Sequence, residues 1–133
     1  MYYTQSDTST IQPMQLGKVF SSSSDHTFYS LENGLCAKIY NEPNKSTELI
    51  SKIKHMIGIN LEIQSVCWPT SFVFNKEEDI VGVVMRMPKG HPLSTLFDRE
   101  HRRSLFSQWT RIDLCDLALT ILKDVAELHE QNI

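Results

Sequence analysis

Short apolar or alternating runs recur through the first ninety positions and predict β-strands. Residues 16–31 alternate around four consecutive serines, which predicts two strands joined by a tight polar turn. Asn33 and Gly34 follow, and this pair favours a two-residue hairpin turn because both central residues need a positive φ. Residues 35–40 would then be a third strand, so the pattern predicts a three-stranded antiparallel meander.

Helical spacing replaces this alternation after a polar break at residues 41–46. Apolar residues at steps of three and four predict a helix over residues 46–57, and Gly58 is a typical stop. Two further apolar runs, residues 66–75 and 79–87, predict a fourth and a fifth strand around a charged turn. Five antiparallel strands with one helix inserted after the third, followed by more helices, indicate the α+β fold class.

The C-terminal third of the chain is predicted to be helical. A Pro- and Gly-rich connector at residues 88–92 leads into a weakly patterned helix over residues 93–109. Thr110 followed by Asp113 is a capping signal for the last helix. The apolar stripe of that helix has steps of three and four and consists of Leu114, Leu117, Ala118, Ile121, Leu122, Val125 and Leu128.

Length and composition bound the class of protein. The 133 residues, 41% apolar and 22% charged, suit one modest globular domain. We divide them into a loose polar tail (1–13), a sheet-forming segment (14–88) and a helical segment (89–133). The net charge of -3 argues against bulk binding to nucleic acid or anionic membrane, and no run is apolar enough to span a bilayer. The polar start does not resemble a secretory signal.

The cysteines and histidines of the sequence indicate neither a disulfide framework nor a metal site. The three cysteines are isolated and odd in number, which suits a reducing cytoplasm better than a disulfide framework. No paired cysteine or histidine motif with metal-ligand spacing occurs, so we predict no metal site. We therefore expect a cytoplasmic protein whose chemistry depends on other residues.

Lys38 is unusual because it lies inside an otherwise apolar predicted strand. Side chains alternate faces along a strand, so Cys36, Lys38 and Tyr40 share one face. The small Cys36 leaves room for a flat group beside the ammonium, and a strand lysine can hold an anion such as phosphate. The alternative is a lysine on a solvated sheet face.

The order of several short segments resembles a eukaryotic-like protein kinase domain, closest in wording to bacterial kinase-like domains. "LCAK" (35–38) matches the strand motif whose lysine pairs with nucleotide phosphates. "VVMRMPKG" (83–90) resembles the adenine-binding hinge, and "ELHEQNI" (127–133) resembles the helix end before the catalytic loop. The resemblance covers about residues 16–133. It implies a small lobe with a five-stranded antiparallel sheet and an inserted helix, a hinge, and the first helices of an incomplete large lobe.

The resemblance assigns ATP as the cofactor. Lys38 would orient its phosphates, with Glu48 on the inserted helix as the lysine's partner and Glu62 as the alternative partner. Cys36 would lie beside the bound nucleotide. In the hinge, the Met85 carbonyl and the Met87 N–H would face adenine; a register shifted by one places the donor on Pro88, which has no N–H.

The phosphate loop departs from the family pattern of three glycines. Its positions are Ser21, Ser23 and His26 in this sequence. Glycine lets backbone N–H groups approach phosphate closely, and the Ser23 hydroxyl would have to donate in their place. The alternative interpretation of the run is a polar hairpin turn.

The resemblance also predicts a function. The parent would transfer the γ-phosphoryl group of ATP to Ser/Thr hydroxyls of a protein substrate. The catalytic-loop and Asp-Phe-Gly motifs that supply the aspartate and hold Mg²⁺ do not occur in residues 1–133, so we expect a truncated domain without catalytic residues. A pseudokinase-type scaffold is the alternative, and an unrelated α+β fold with an incidental lysine is a third. Helix 112–130 would expose its stripe and favour self-association.

Overall fold

The computed structural model describes residues 1–5, 10–41, 47–59, 61 and 63–133. The described part of the chain has an α+β fold with seven antiparallel strands and three α-helices, the longest of them C-terminal. The strands are β1 (Tyr2–Gln5), β2 (Ile11–Met14), β3 (Val19–Ser22), β4 (His26–Ser30), β5 (Leu35–Tyr40), β6 (Pro69–Phe74) and β7 (Ile80–Arg86). The helices are α1 (Thr47–Ile57), α2 (Arg99–Leu105) and α3 (Arg111–Glu130).

All seven strands belong to one open sheet with the order β2-β1-β6-β7-β5-β4-β3. The five predicted strands are present, and the α+β class is confirmed. The sheet has two more strands than predicted, β1 and β2, which lie within residues 1–14. The expectation of a loose polar tail is wrong for these strands: β1 pairs with β6 through Tyr3–Phe74 and Thr4–Val73, which satisfies its backbone groups.

The turn before β5 follows its sequence closely. Asn33 and Gly34 have φ values of 58° and 73°, so both predicted positive angles are confirmed. The connection includes Glu32 as a third residue, because the register pairs Ser30 with Cys36. One extra residue in a hairpin loop is typical of a bulged turn and changes the pairing of the strands it joins.

One buried cluster of the core lies on one face of the sheet. Ala37 and Ile39 of β5 point to that face and form a buried cluster with Val73, Val81 and Val84. Half-buried residues from β1, β2, β4 and β5 and from the loops beside them pack on the cluster, among them Tyr2, Met14, Leu16 and Tyr29. Alternation along β5 therefore turns Cys36, Lys38 and Tyr40 to the opposite face, as the sequence predicted.

Helix α1 follows β5 and packs against β6. Ile53 is its buried residue, and Ile50, Met56 and Ile57 are half-buried. The Trp68 indole N–H donates to the Met56 carbonyl at 2.8 Å, which ties the end of the helix to the start of β6. The predicted first residue of this helix, Ser46, lies outside the described residues.

The chain divides into two compact units, Met1–Pro88 and Lys89–Ile133. In the second unit, the weakly patterned segment 93–109 is not one helix. A short 3₁₀ turn at Leu93–Leu96 precedes α2, because the Asp98 carboxylate accepts the His101 N–H at 2.8 Å and starts a new helix.

Helix α3 starts at the predicted cap. The Thr110 N–H donates to the Asp113 carboxylate at 2.6 Å, and the Thr110 hydroxyl accepts the Ile112 N–H at 3.2 Å. None of its residues is buried, and Leu122 is 63% exposed. No helix in the described residues combines the length and apolar character needed to cross a bilayer.

Candidate functional site

The candidate site is the sheet face that carries Lys38. Strand β5 lies between β4 and β7, so Lys38 is flanked by Phe28 on one side and Val83 on the other. Its side chain is half-buried. The ammonium lies 5.8 Å from the Phe28 ring centroid and 5.2 Å from the Tyr40 ring centroid. Both distances are within the range of a cation–π contact.

The acidic partner predicted for Lys38 is not in place. Glu48 lies in the first turn of α1, where it is exposed, and within the described residues no carboxylate forms an ion pair with Lys38. A carboxylate is favourable in that turn because it meets the positive end of the helix dipole. The alternative partner, Glu62, lies outside the described residues.

Cys36 is fully enclosed. Its side chain has no exposed surface, and its thiol donates to the Arg86 carbonyl at 3.7 Å. Burial, with a smaller contribution from the Cys67 thiol, raises the pKa of the Cys36 thiol to about 11. The room expected beside Lys38 for a flat group is therefore filled at this position in the described structure.

The two hinge groups assigned to adenine are the Met85 carbonyl, which lies in β7, and the Met87 N–H, which follows directly after β7. The Met87 N–H donates to the Gly34 carbonyl at 2.9 Å, which extends the pairing of β5 and β7 by one bond. The backbone donor expected to face adenine is thus engaged inside the first unit, Met1–Pro88. Met85 is paired with Cys36 in β5, and its side chain is half-buried.

Ser23 holds the turn between β3 and β4. Its hydroxyl oxygen accepts the N–H groups of Asp25 and His26 at 3.3 Å each, and the Ser23 N–H donates to the His26 carbonyl at 2.9 Å. The Asn41 amide closes the turn from the other side by donating to the Ser24 carbonyl at 2.7 Å. The hydroxyl proposed to replace a glycine at phosphate is therefore used within the turn.

Two aromatic residues at the site were not assigned by the sequence reasoning. Phe28 and Tyr40 contact the ammonium directly, and burial raises the pKa of the Tyr40 hydroxyl. Phe28 also packs on Phe20, with ring centroids 5.7 Å apart, and meets the His26 ring edge-on at 5.1 Å. The available signal was the alternation of strands β4 and β5, which places an aromatic residue next to Lys38 on each strand.

These contacts test the fit of ATP residue by residue. The charge of Lys38 suits a phosphate group, since its side chain is half-buried and its ammonium has no carboxylate partner in the described residues. The adenine contacts do not fit as they stand, since Cys36 is enclosed and the Met87 N–H has a partner. Within the described residues, no three His, Cys, Asp or Glu side chains come together as a metal site requires.

Two surface cavities in the first unit, Met1–Pro88, lie away from Lys38. One of about 570 Å³ is lined by the end of α1, Trp68 and Arg86, and one of about 900 Å³ lies between the β1–β2 hairpin and the residues around Leu31. Lys38 and Met87 line neither of them. The candidate site on the Lys38 face is therefore separate from both cavities.

No protein-family model matches the sequence, no curated protein matches it significantly, and no solved structure matches it significantly. The functional interpretation therefore depends on the residues and geometry of this chain.

Proposed function

We propose that the first unit, Met1–Pro88, is the nucleotide lobe of a kinase-like domain, whose parent transfers the γ-phosphoryl group of ATP to Ser/Thr hydroxyls of a protein substrate. The observation that carries the proposal is the place of Lys38 in the sheet. It lies on β5, which precedes the inserted helix α1 and pairs with β7, the strand that leads into the connector at residues 87–90. A lysine fixed on a central strand holds its ammonium at a defined distance from a bound phosphate.

A pseudokinase-type binding module is the second candidate. The engaged Met87 N–H, the enclosed Cys36 and the closed Ser23 turn favour it. Each of these groups would have to give up an internal contact before it met a nucleotide. Under this candidate the chain acts as a scaffold for another protein and has no phosphoryl-transfer role.

Calorimetric titration with Mg-ATP separates the two candidates. The nucleotide lobe requires saturable binding that Lys38→Ala weakens by at least about tenfold, because a charge-assisted phosphate contact is lost. Lys76→Ala is the matched control, since Lys76 is an exposed lysine of the same unit in the turn between β6 and β7.

The outcomes are distinct. No saturable binding at millimolar Mg-ATP would reject the nucleotide lobe and leave the scaffold. Binding that Lys38→Ala and Lys76→Ala weaken equally would show that Lys38 has no special role, and the kinase-like assignment would fail with it.

A further inference from the structure

The contacts of the Lys38 ammonium with aromatic rings bear on how the proposed nucleotide lobe binds phosphate. The ammonium lies near two rings, Phe28 across the strand pair and Tyr40 two residues along β5. Residues two apart on a strand share a face, so the two rings approach the ammonium from the same side of the sheet.

The rings that contact Lys38 are themselves held in place. Phe28 lies between Phe20, from the edge strand β3, and His26, its neighbour on the same face of β4. Tyr40 is half-buried and pairs with His26 across the strands. These rings belong to three neighbouring strands, β3, β4 and β5, and the Phe28 ring contacts both the Phe20 and the His26 ring.

Phosphate and the rings compete for the same cation. The electrostatic attraction of an ammonium to a ring face is lost when the ammonium turns toward an anion. When only a fraction of the molecules is in the conformation that binds a ligand, the apparent affinity for that ligand is reduced by the same fraction. We therefore expect the rings to lower the affinity of Lys38 for phosphate.

We propose that Phe28 and Tyr40 form an aromatic clamp that holds the Lys38 ammonium in the unliganded protein and sets the affinity of the site for a phosphate-bearing ligand. The proposal depends on the proposed nucleotide lobe for its ligand class. The clamp itself, as a contact between a lysine and two rings, does not depend on it.

The test uses two readouts on the full chain. The first is the NMR signal of the Lys38 ε-methylene protons, which ring currents shift upfield while the ammonium lies over the rings. Phe28→Leu keeps the apolar character of the position and removes the ring, so the upfield shift should diminish. Phe74→Leu is the matched control, because the Phe74 ring packs edge-on against Phe72 and is not among the rings near Lys38.

The second readout is calorimetric affinity for Mg-ATP and for inorganic tripolyphosphate, which has phosphates but no base. We expect Phe28→Leu to bind both ligands about threefold more tightly than the unmodified chain, and Phe74→Leu to bind them equally well. Tyr40→Leu is a second clamp variant with the same expected direction, which guards against a folding defect in one variant.

Failure of the clamp and failure of the nucleotide lobe give different results. An unshifted Lys38 signal in the unmodified chain, or unchanged affinity in both clamp variants, overturns the clamp even when Mg-ATP binds. A shifted signal with no ligand binding in any variant overturns the nucleotide lobe and the affinity role, while the contact between Lys38 and the rings stands.

Discussion

At the residue scale, backbone conformation followed from the residue types, whereas the hydrogen-bond partners of a side chain depended on its surroundings. Asn33 and Gly34 adopt the positive φ values that their sequence favours, because this preference is local. Ser23 was assigned to phosphate, yet its hydroxyl accepts two N–H groups of its own turn. Both roles suit a serine in a polar turn, so the sequence alone left the choice open.

Thiol reactivity provides a prediction at this scale. Cys36 is buried with a thiol pKa of about 11, whereas Cys67 and Cys115 are exposed. Because only the thiolate is nucleophilic, we expect two thiols to react quickly with Ellman's reagent at pH 8 and the third to react only after denaturation. Cys36→Ser should leave the fast phase unchanged, and Cys67→Ser should halve it. A fast phase of three thiols would contradict the burial of Cys36.

At the element scale, strands and helices with strong periodicity were predictable, and weakly patterned ones were not. The alternation in β3 to β5 and the helical spacing in α1 and α3 are visible in the sequence because each element buries or presents one face. β1 and β2 are only four residues long each, which is too short for a clear alternation, and β2 contains Pro13. They become strands because β1 pairs with the edge of β6, which no local pattern reports.

Close pairing of β5 and β7 makes Gly82 critical. A Cβ at Gly82 would overlap the Lys38 carbonyl oxygen and lie 3.1 Å from the Ile39 Cα. We expect Gly82→Ala to destabilise the protein by about 2–3 kcal/mol, measured by urea unfolding. Gly58→Ala is the control: its Cβ meets the His55 carbonyl at an ordinary 3.4 Å, so the change should stay within about 0.5 kcal/mol. Equal effects of the two substitutions would count against the pairing of β5 with β7.

The cap of α3 makes its stability depend on pH. The Thr110 N–H donates to the Asp113 carboxylate and holds the pKa of that group below its ordinary value. The stabilisation is therefore complete above the unfolded pKa of about 3.9 and is lost as the pH falls through the lower folded pKa. Circular dichroism at 222 nm should show helix loss below about pH 4 that is smaller in Asp113→Asn. Identical acid profiles for the two proteins would exclude this role of the cap.

At the scale of the whole molecule, two compact units contribute differently to burial. The first holds the buried cluster around Ala37 and Val73, while the longest helix of the second has no buried residue. Four large apolar side chains of its stripe are 40–63% exposed: Leu114, Ile121, Leu122 and Val125. Contiguous exposed apolar surface of this kind favours association between molecules.

Self-association through α3 follows as a prediction. Ile121 lies at the centre of the apolar stripe, and Leu119 lies about 140° around the helix from Leu114. Ile121→Glu should reduce the concentration-dependent association seen by sedimentation velocity, whereas Leu119→Glu should leave it largely intact. A monomer at all concentrations in the unmodified chain would refute the prediction.

The sequence by itself determined the α+β class, five of the seven strands, the Asn33-Gly34 turn and the cap of α3, because these depend on local backbone preference and on periodic burial. Tertiary structure alone decided that β1 completes the β6 edge and that aromatic rings, with no carboxylate among the described residues, surround the Lys38 ammonium. Strand partners and the neighbours of a side chain come from residues distant in the chain. Their energies depend on a three-dimensional arrangement that local sequence does not encode.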